Sequence, residues 1–283
     1  MFKTSFLFLF TLTVSCQTGN LKVIADLPFT LKEVSGVQTS SNGNLLWMLN
    51  DGGNKPRLYG VNENGNIMKD ATILAKNRDW EDLTSDSNGN IYIGDFGNND
   101  NDSKNLAILI VSENDLLNKT EVSPKKIKFS YPEQNKFPPK NNKRHFDCEA
   151  FFHFQDSLYL FTKSRYSKKP GKTNLYVLPA KPGTYKAKQI DSFNTCNKKG
   201  CWVTSADINT SKDKVALLTE NQLIILSNFT DNQFFKGTVN YYPFDYKSQK
   251  ESVCFKNDST VYITDEFRGI DGGNLYEFKI AIP

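Results

Sequence analysis

Histidine occurs only twice in this chain of 283 residues, at His145 and His153, and none of its five cysteines stands in a CxxC pair. That scarcity offers neither a zinc framework nor a visible catalytic histidine pair. Equally missing are a GxSxG elbow, a GxxxxGK[ST] loop, an HExxH helix and a dinucleotide fingerprint. Serine hydrolase, nucleotide-binding and zinc-protease chemistry therefore have no support. Charge of one sign is lacking too: 35 basic against 31 acidic residues leave a net +4, too weak a field to expect a nucleic-acid partner. Helical periodicity is nearly absent, with Asn114 to Lys119 the one candidate turn. A disordered chain is excluded by 38% hydrophobic residues and a 13% share of aromatics, enough for a sizeable core.

What is present begins with an export signal. Lys3 precedes an apolar run from Phe6 to Leu12 that is too short to span a bilayer, and Thr13-Val14-Ser15-Cys16 follows. Val14-Ser15-Cys16 resembles the end of a bacterial lipobox, which implies cleavage after residue 15, lipidation of Cys16 and a short tether over 16–20. The alternative is an ordinary signal peptide with Cys16 incidental. Either way the chain is expected to be exported. With the lipid, it is anchored to a membrane of the bacterial envelope, on the periplasmic or the surface side. No later apolar run reaches membrane-spanning length, so the lipid alone would hold it there. In an oxidising compartment Cys196 and Cys201, separated by Asn-Lys-Lys-Gly, are placed to close a local disulfide. Cys148 and Cys254, in apolar runs, read as buried free thiols.

From residue 21 onward the chain is a series of short runs rich in Val, Ile, Leu, Tyr and Phe, bounded by Asn, Asp, Gly, Ser or Pro. Five units share an acidic residue near the start of a short strand, a polar turn and a second apolar strand. Their acids are Glu33, Glu81, Glu149, Asp207 and Glu251, at intervals of 48, 68, 58 and 44 residues. A third strand follows in every unit, and a fourth in the first four. The spacing predicts an all-β fold over 21–283, a single propeller of five blades, or six if the long insertion between units two and three hides one. The fifth unit stops after its third strand, and the run Leu21 to Leu27 is predicted to complete it and close the ring.

In a propeller the first strand of each blade lines the central channel. Five acids at equivalent positions would therefore ring one mouth with carboxylates. Such a ring repels itself and either raises its own pKa values or recruits a hard cation, for which Ca²⁺ is the natural candidate. Asn50, Asp51, Asp79, Asp95, Asn98, Asp265 and Glu266 fall at strand ends where they offer further oxygen ligands. The competing reading makes these acids acceptors for turn backbone and for Lys163 or Ser/Thr neighbours, setting blade register.

The stretches Glu33-Val34-Ser35-Gly36, Leu46-Trp47-Met48-Leu49-Asn50-Asp51-Gly52-Gly53, Asp79-Trp80-Glu81-Asp82-Leu83 and Tyr92-Ile93-Gly94-Asp95-Phe96-Gly97-Asn98-Asn99 resemble a group of secreted, mostly uncharacterised bacterial propellers. More distantly the chain is similar to calcium-dependent lactonase propellers such as gluconolactonase, regucalcin and paraoxonase. That resemblance implies a channel metal, with Glu33 or Glu81 and Asp207 as counterparts of its acidic ligands. Asp51, Asp79 and Glu149 also bear a superficial similarity to the three acids of five-bladed glycoside hydrolases. However, Asn50-Asp51-Gly52-Gly53-Asn54, Arg78-Asp79-Trp80 and Cys148-Glu149 lack the prolines and the order of those motifs. The sequence thus predicts a ligand- or Ca²⁺-binding module with an unidentified small-molecule or protein partner. The enzymatic alternative is a metal-dependent ester, lactone or phosphoester hydrolase. The basic stretches 132–144 and 164–173 read as solvated loops.

Overall fold

The computed structural model describes residues 18–281. The signal segment and Cys16 lie outside them. The chain opens with strand β1 (Lys22–Asp26), then forms blade 1 from β2 (Val34–Thr39), β3 (Leu46–Asn50), β4 (Arg57–Val61) and β5 (Ile67–Ile73). Blade 2 contains β6 (Trp80–Ser85), β7 (Asn90–Asp95) and β8 (Ala107–Ser112). The helix α1 (Glu113–Asn118) and the two-residue β9 (Glu121–Val122) come next, and β10 (Lys125–Ser130) completes the blade. Blade 3 consists of β11 (Asp147–Phe154), β12 (Ser157–Lys163), β13 (Lys172–Pro179) and β15 (Lys188–Asn194), with β14 (Gly183–Lys186) between the last two. Blade 4 runs through β16 (Ser205–Ile208), β17 (Lys214–Leu218), β18 (Gln222–Ser227) and β19 (Thr238–Pro243). Blade 5 has β20 (Lys250–Asn257), β21 (Thr260–Asp265) and β22 (Asn274–Lys279).

Five sheets result, antiparallel within each blade, and the fifth is completed by β1 against β22. The ring therefore has five blades. The insertion between units two and three does not form a sixth: it supplies the outer strand β10 and a loop. Two short strands stitch neighbours together, since β14 of blade 3 pairs parallel with β10 and β9 pairs parallel with β5.

Alternate residues of each strand point to opposite faces of its blade, and both faces are covered by neighbouring blades. Along β7, Ile91 and Ile93 pack toward blade 1 while Tyr92 packs toward blade 3. This two-sided burial explains why the strands read as nearly continuous apolar runs. The core is consequently divided into five clusters, one at each junction between blades. Trp47 and Trp80 at the first junction and Phe152, Phe161 and Phe234 at the third are fully buried; each such side chain contributes roughly 1.5–3 kcal/mol. Cys148 and Cys254 are buried thiols, whereas Cys196 and Cys201 are joined with their Cα atoms 5.7 Å apart.

The inner strands meet around the axis without a sheet partner on that side, and side chains take the place of the missing ladder. Asp82, wholly buried, accepts from the backbone N–H of Phe151 (3.2 Å) and Ala206 (3.3 Å) and from the Ser205 hydroxyl (3.0 Å). Ser205 Oγ accepts from Val253 N–H at 3.0 Å, and Thr84 Oγ1 from His153 N–H at 3.1 Å. The waist of the channel is thereby filled, and its two mouths are separate. Asp82 also accepts from Leu83 N–H at 2.9 Å, so replacing it with alanine removes the acceptor of four donors, and an Asp82→Ala variant is expected to lose about 3 kcal/mol or more, read as a lowered denaturant midpoint at unchanged slope. A chain starting at Pro28, which leaves β22 as an open edge, should melt without a cooperative transition or aggregate.

Candidate functional site

A local irregularity sets the acidic mouth. In four blades the register of the first strand slips by an extra residue: between Val34 and Gly36, Trp80 and Leu83, Cys148 and Ala150, and Lys250 and Ser252. Such bulges turn a side chain out of the ladder. The residues they carry are Ser35, Glu81, Glu149 and Glu251, all of which line one cavity of about 330 Å³. Blade 4 has no slip in its first strand.

The expectation of five equivalent acids is therefore corrected to three. Glu33 precedes β2 and lies two positions before the bulge residue, where Asp79 and Asp147 stand in their blades. Asp207 pairs with Ala216 in the regular part of β16, lines the opposite mouth and accepts from Phe255 N–H at 2.8 Å.

Of the secondary residues, Asp51 and Asp79 join Glu81. One carboxylate oxygen from each of the three lies within 4.8 Å of the others. Backbone approaches the cluster where only glycine fits. A Cβ on Gly97 would run into the Glu81 and Asp79 carboxylates, and one on Gly52 into Asp79. Gly52 and Gly97 are owed to this approach, whereas Gly53 is owed to its φ of 81°. No hydrogen-bond donor among the described residues reaches the Asp79 or Glu81 carboxylate, and Asp51 is met only by its neighbour Gly52 N–H.

The remaining candidates are engaged. Asn50 accepts from Glu33 N–H and donates to Thr30 O; Asn98 donates to Phe146 O and accepts from Ser103 N–H. Asp95 pairs with Arg78, and Asp265 accepts from Asn274 N–H and the Tyr276 hydroxyl. Glu266 pairs with Arg268 at 2.6 Å, and Glu33 with Lys32 at 3.1 Å and Asn54.

Charges divide the mouth into two halves. On the blade 3 side, Lys163 and Arg165 each lie 3.1 Å from Glu149, and Arg165 also pairs with Asp147. Trp202 sits beneath both cations, at 5.3 and 5.7 Å from its ring. Burial opposes the Glu149 charge, but Lys163 and Arg165 outweigh it and hold this carboxyl below its ordinary value. Across the mouth burial outweighs what the cations contribute. Burial and the neighbouring carboxylates push Asp51 up to about 6 and Asp79 up to about 7, and raise Glu81 well above the ordinary range. Burial likewise lifts Glu251 to about 8 and Glu266 to about 7.

The all-oxygen donor set fits a hard cation, and neither histidine belongs to it: His145 Nδ1 faces Ser164 and His153 lines the other mouth. Arg165, Trp202 and Asp147 were not singled out from the sequence. The parallel between Asp147-Cys148-Glu149-Ala150-Phe151 and Asp79-Trp80-Glu81-Asp82-Leu83 is the signal that points to Asp147.

No protein-family model and no curated protein matches the sequence. Among solved structures the chain is similar to a gluconolactonase from Xanthomonas campestris, at 10% identity over 94% of this chain and 92% of that one, with a TM-score of 0.53. It is also similar to the PQQ-bound aldose sugar dehydrogenase of Streptomyces coelicolor (9% identity, 92% and 98% covered, TM-score 0.49). A third neighbour is a virginiamycin B lyase from Staphylococcus aureus with quinupristin (14% identity, 90% and 69% covered, TM-score 0.43). At these identities the likeness is one of fold. It agrees with the propeller read from the repeats, and the distant similarity to gluconolactonase-like propellers holds at that level.

The raised acids give the protein without cation a definite pH dependence. Their folded values, about 6 for Asp51, about 7 for Asp79 and about 8 for Glu251, exceed the unfolded values of about 4. The folded chain therefore binds more protons, and the stability this brings is complete below about pH 4 and is lost as pH rises through 6 to 8. In chelator, the melting temperature should fall between about pH 5 and pH 8. Asp79→Asn should flatten that fall and raise the value at pH 8 by about 3 °C. A flat wild-type profile contradicts the charge arrangement.

Proposed function

We propose that this is an exported, lipid-tethered propeller of the bacterial envelope that holds a divalent cation, Ca²⁺, at Asp51, Asp79 and Glu81, and binds a ligand at that mouth. The observation that carries the reading is the clustering of three carboxylates with no donor on Asp79 or Glu81, against a backbone cradle at Gly52 and Gly97. Bound Ca²⁺ would neutralise the cluster and leave coordination positions open to ligand oxygens. Around it the chain's own residues set the chemistry of the pocket, whose lining also includes Arg165, Trp202 and Glu251. The tether follows from Cys16 and the apolar run before it. A binding module is favoured because no nucleophile and base pair is assembled among the described residues.

A hydrolase of esters, lactones or phosphoesters is the second reading. It is favoured by Glu251 and Glu266, whose values of about 8 and about 7 suit proton transfer near neutral pH, and by a fold neighbour that is a gluconolactonase.

Titration calorimetry and thermal unfolding of the chelated protein test the proposal. Ca²⁺ should raise the melting temperature by linkage, more at pH 8 than at pH 6 because ligand protons must leave. Glu81→Gln and Asp79→Asn should each weaken binding by more than about tenfold, while Asp207→Asn leaves it unchanged. Absence of any Ca²⁺-dependent shift in the wild type rejects the cation site. Turnover of a lactone, ester or phosphoester panel, abolished in Glu251→Gln, would select the second reading over the first.

A further inference from the structure

The opposite end of the channel holds a second cavity of about 740 Å³, built from different chemistry. All five inner strands reach it through their last residues: Gln38, Thr84, His153, Asp207 and Phe255 come from blades 1 to 5 in turn. Hydroxyls and carboxamides dominate the lining. Its charges are either spoken for or peripheral. Asp86 accepts from the Asn90 side chain and the Tyr92 hydroxyl, at 2.8 and 3.0 Å, and Asp207 accepts from Phe255 N–H. Lys181, Lys212 and Asp156 are exposed.

His153 stacks on Tyr92 with ring centroids 5.5 Å apart and planes 20° from parallel. Burial lowers its pKa, so the ring is neutral at pH 7. Gln38 donates from Nε2 to Ser85 Oγ at 3.1 Å, whereas its Oε1 has no partner among the described residues. Asp82 and Ser205 fill the waist, so this cavity is independent of the acidic mouth.

We propose that this second mouth binds an uncharged, polyhydroxylated ligand, a short neutral oligosaccharide. Sugar hydroxyls donate and accept at once, as do the Thr, Ser, Asn and Gln side chains that face them. The half-buried His153 ring offers a flat surface for a pyranose. An apolar ligand would strip water from these groups without replacing its hydrogen bonds. The carboxylates not exposed at the cavity rim, Asp86 and Asp207, already accept hydrogen bonds from the fold, and among the described residues no buried cation faces the cavity to hold an anion. An extended peptide finds no free strand edge, because the N–H groups of His153 and Phe255 are already accepted by Thr84 and Asp207. The volume lies within the ~300–1,000 Å³ of small-molecule sites.

Saturation-transfer NMR and calorimetry on the full folded chain test this with cellotriose, maltotriose and chitotriose, and with trigalacturonate as the charged comparison. At least one neutral trisaccharide should bind at millimolar affinity or better, more tightly than trigalacturonate. His153→Ala should weaken it by about tenfold. Thr210→Trp, an obstruction placed at an exposed position of the cavity wall, should abolish it even if His153→Ala fails to fold. Glu81→Gln should leave it unchanged. No transfer to any neutral probe, tighter binding of trigalacturonate, unaltered binding in Thr210→Trp, or loss in Glu81→Gln would each overturn the proposal.

Discussion

Five strand edges converge on the axis of this molecule, and the whole structure depends on satisfying them without water. Buried amide groups that lack a partner are costly, and a sheet ladder cannot run across the channel. The chain answers with side chains that reach from one blade to the next. Asp82 serves blades 3 and 4 together, Thr84 serves blade 3, and Ser205 and Asp207 serve blade 5. With those demands met along the axis, some residues at the acidic mouth, Asp79 and Glu81 among them, are left without a hydrogen-bond donor among the described residues. The unpaired acids at one end and the open amides and hydroxyls at the other exist because the middle is closed.

The same contrast separates the acids into two populations. Asp95, Asp147, Glu149 and Asp265 each have a cation or several donors, and they fix loops and strand ends. Asp51, Asp79 and Glu81 do not, although they lie as close together as any group of carboxylates among the described residues. Like charges held this near destabilise the fold unless protonated or neutralised from outside. Sites that bind tend to be those where a chain keeps an arrangement it would not keep for stability alone.

Most of the architecture was legible in the sequence, since two-sided burial leaves an unmistakable trace of short apolar runs at propeller spacing. The closing role of residues 21–27 could be read too, because a fifth unit with only three strands needs a fourth. The positions of the acids were harder. A bulge adds one residue on the first strand without changing its composition, so Glu33 and Asp207 looked equivalent to Glu81, Glu149 and Glu251 while lying two residues before and three residues beyond them in register. Asp207 took the place that Thr84 occupies in blade 2, an acceptor for the neighbouring N–H. Lys163 could be named from the sequence as a partner for these acids, but Arg165 could not: it lies in a loop whose lysines and arginine read as a solvated run, and only the folded chain turns it toward Asp147 and Glu149.

The seam between β1 and β22 joins residues up to 255 positions apart, as in the Lys22–Glu277 contact. During synthesis the first strand made has no partner until the last one appears, so the ring cannot close on a nascent or prematurely ended chain. Contacts of such separation form slowly. Until that seam forms, β22 stays an unpaired edge and the two junctions beside it lack Leu21 and Ala25.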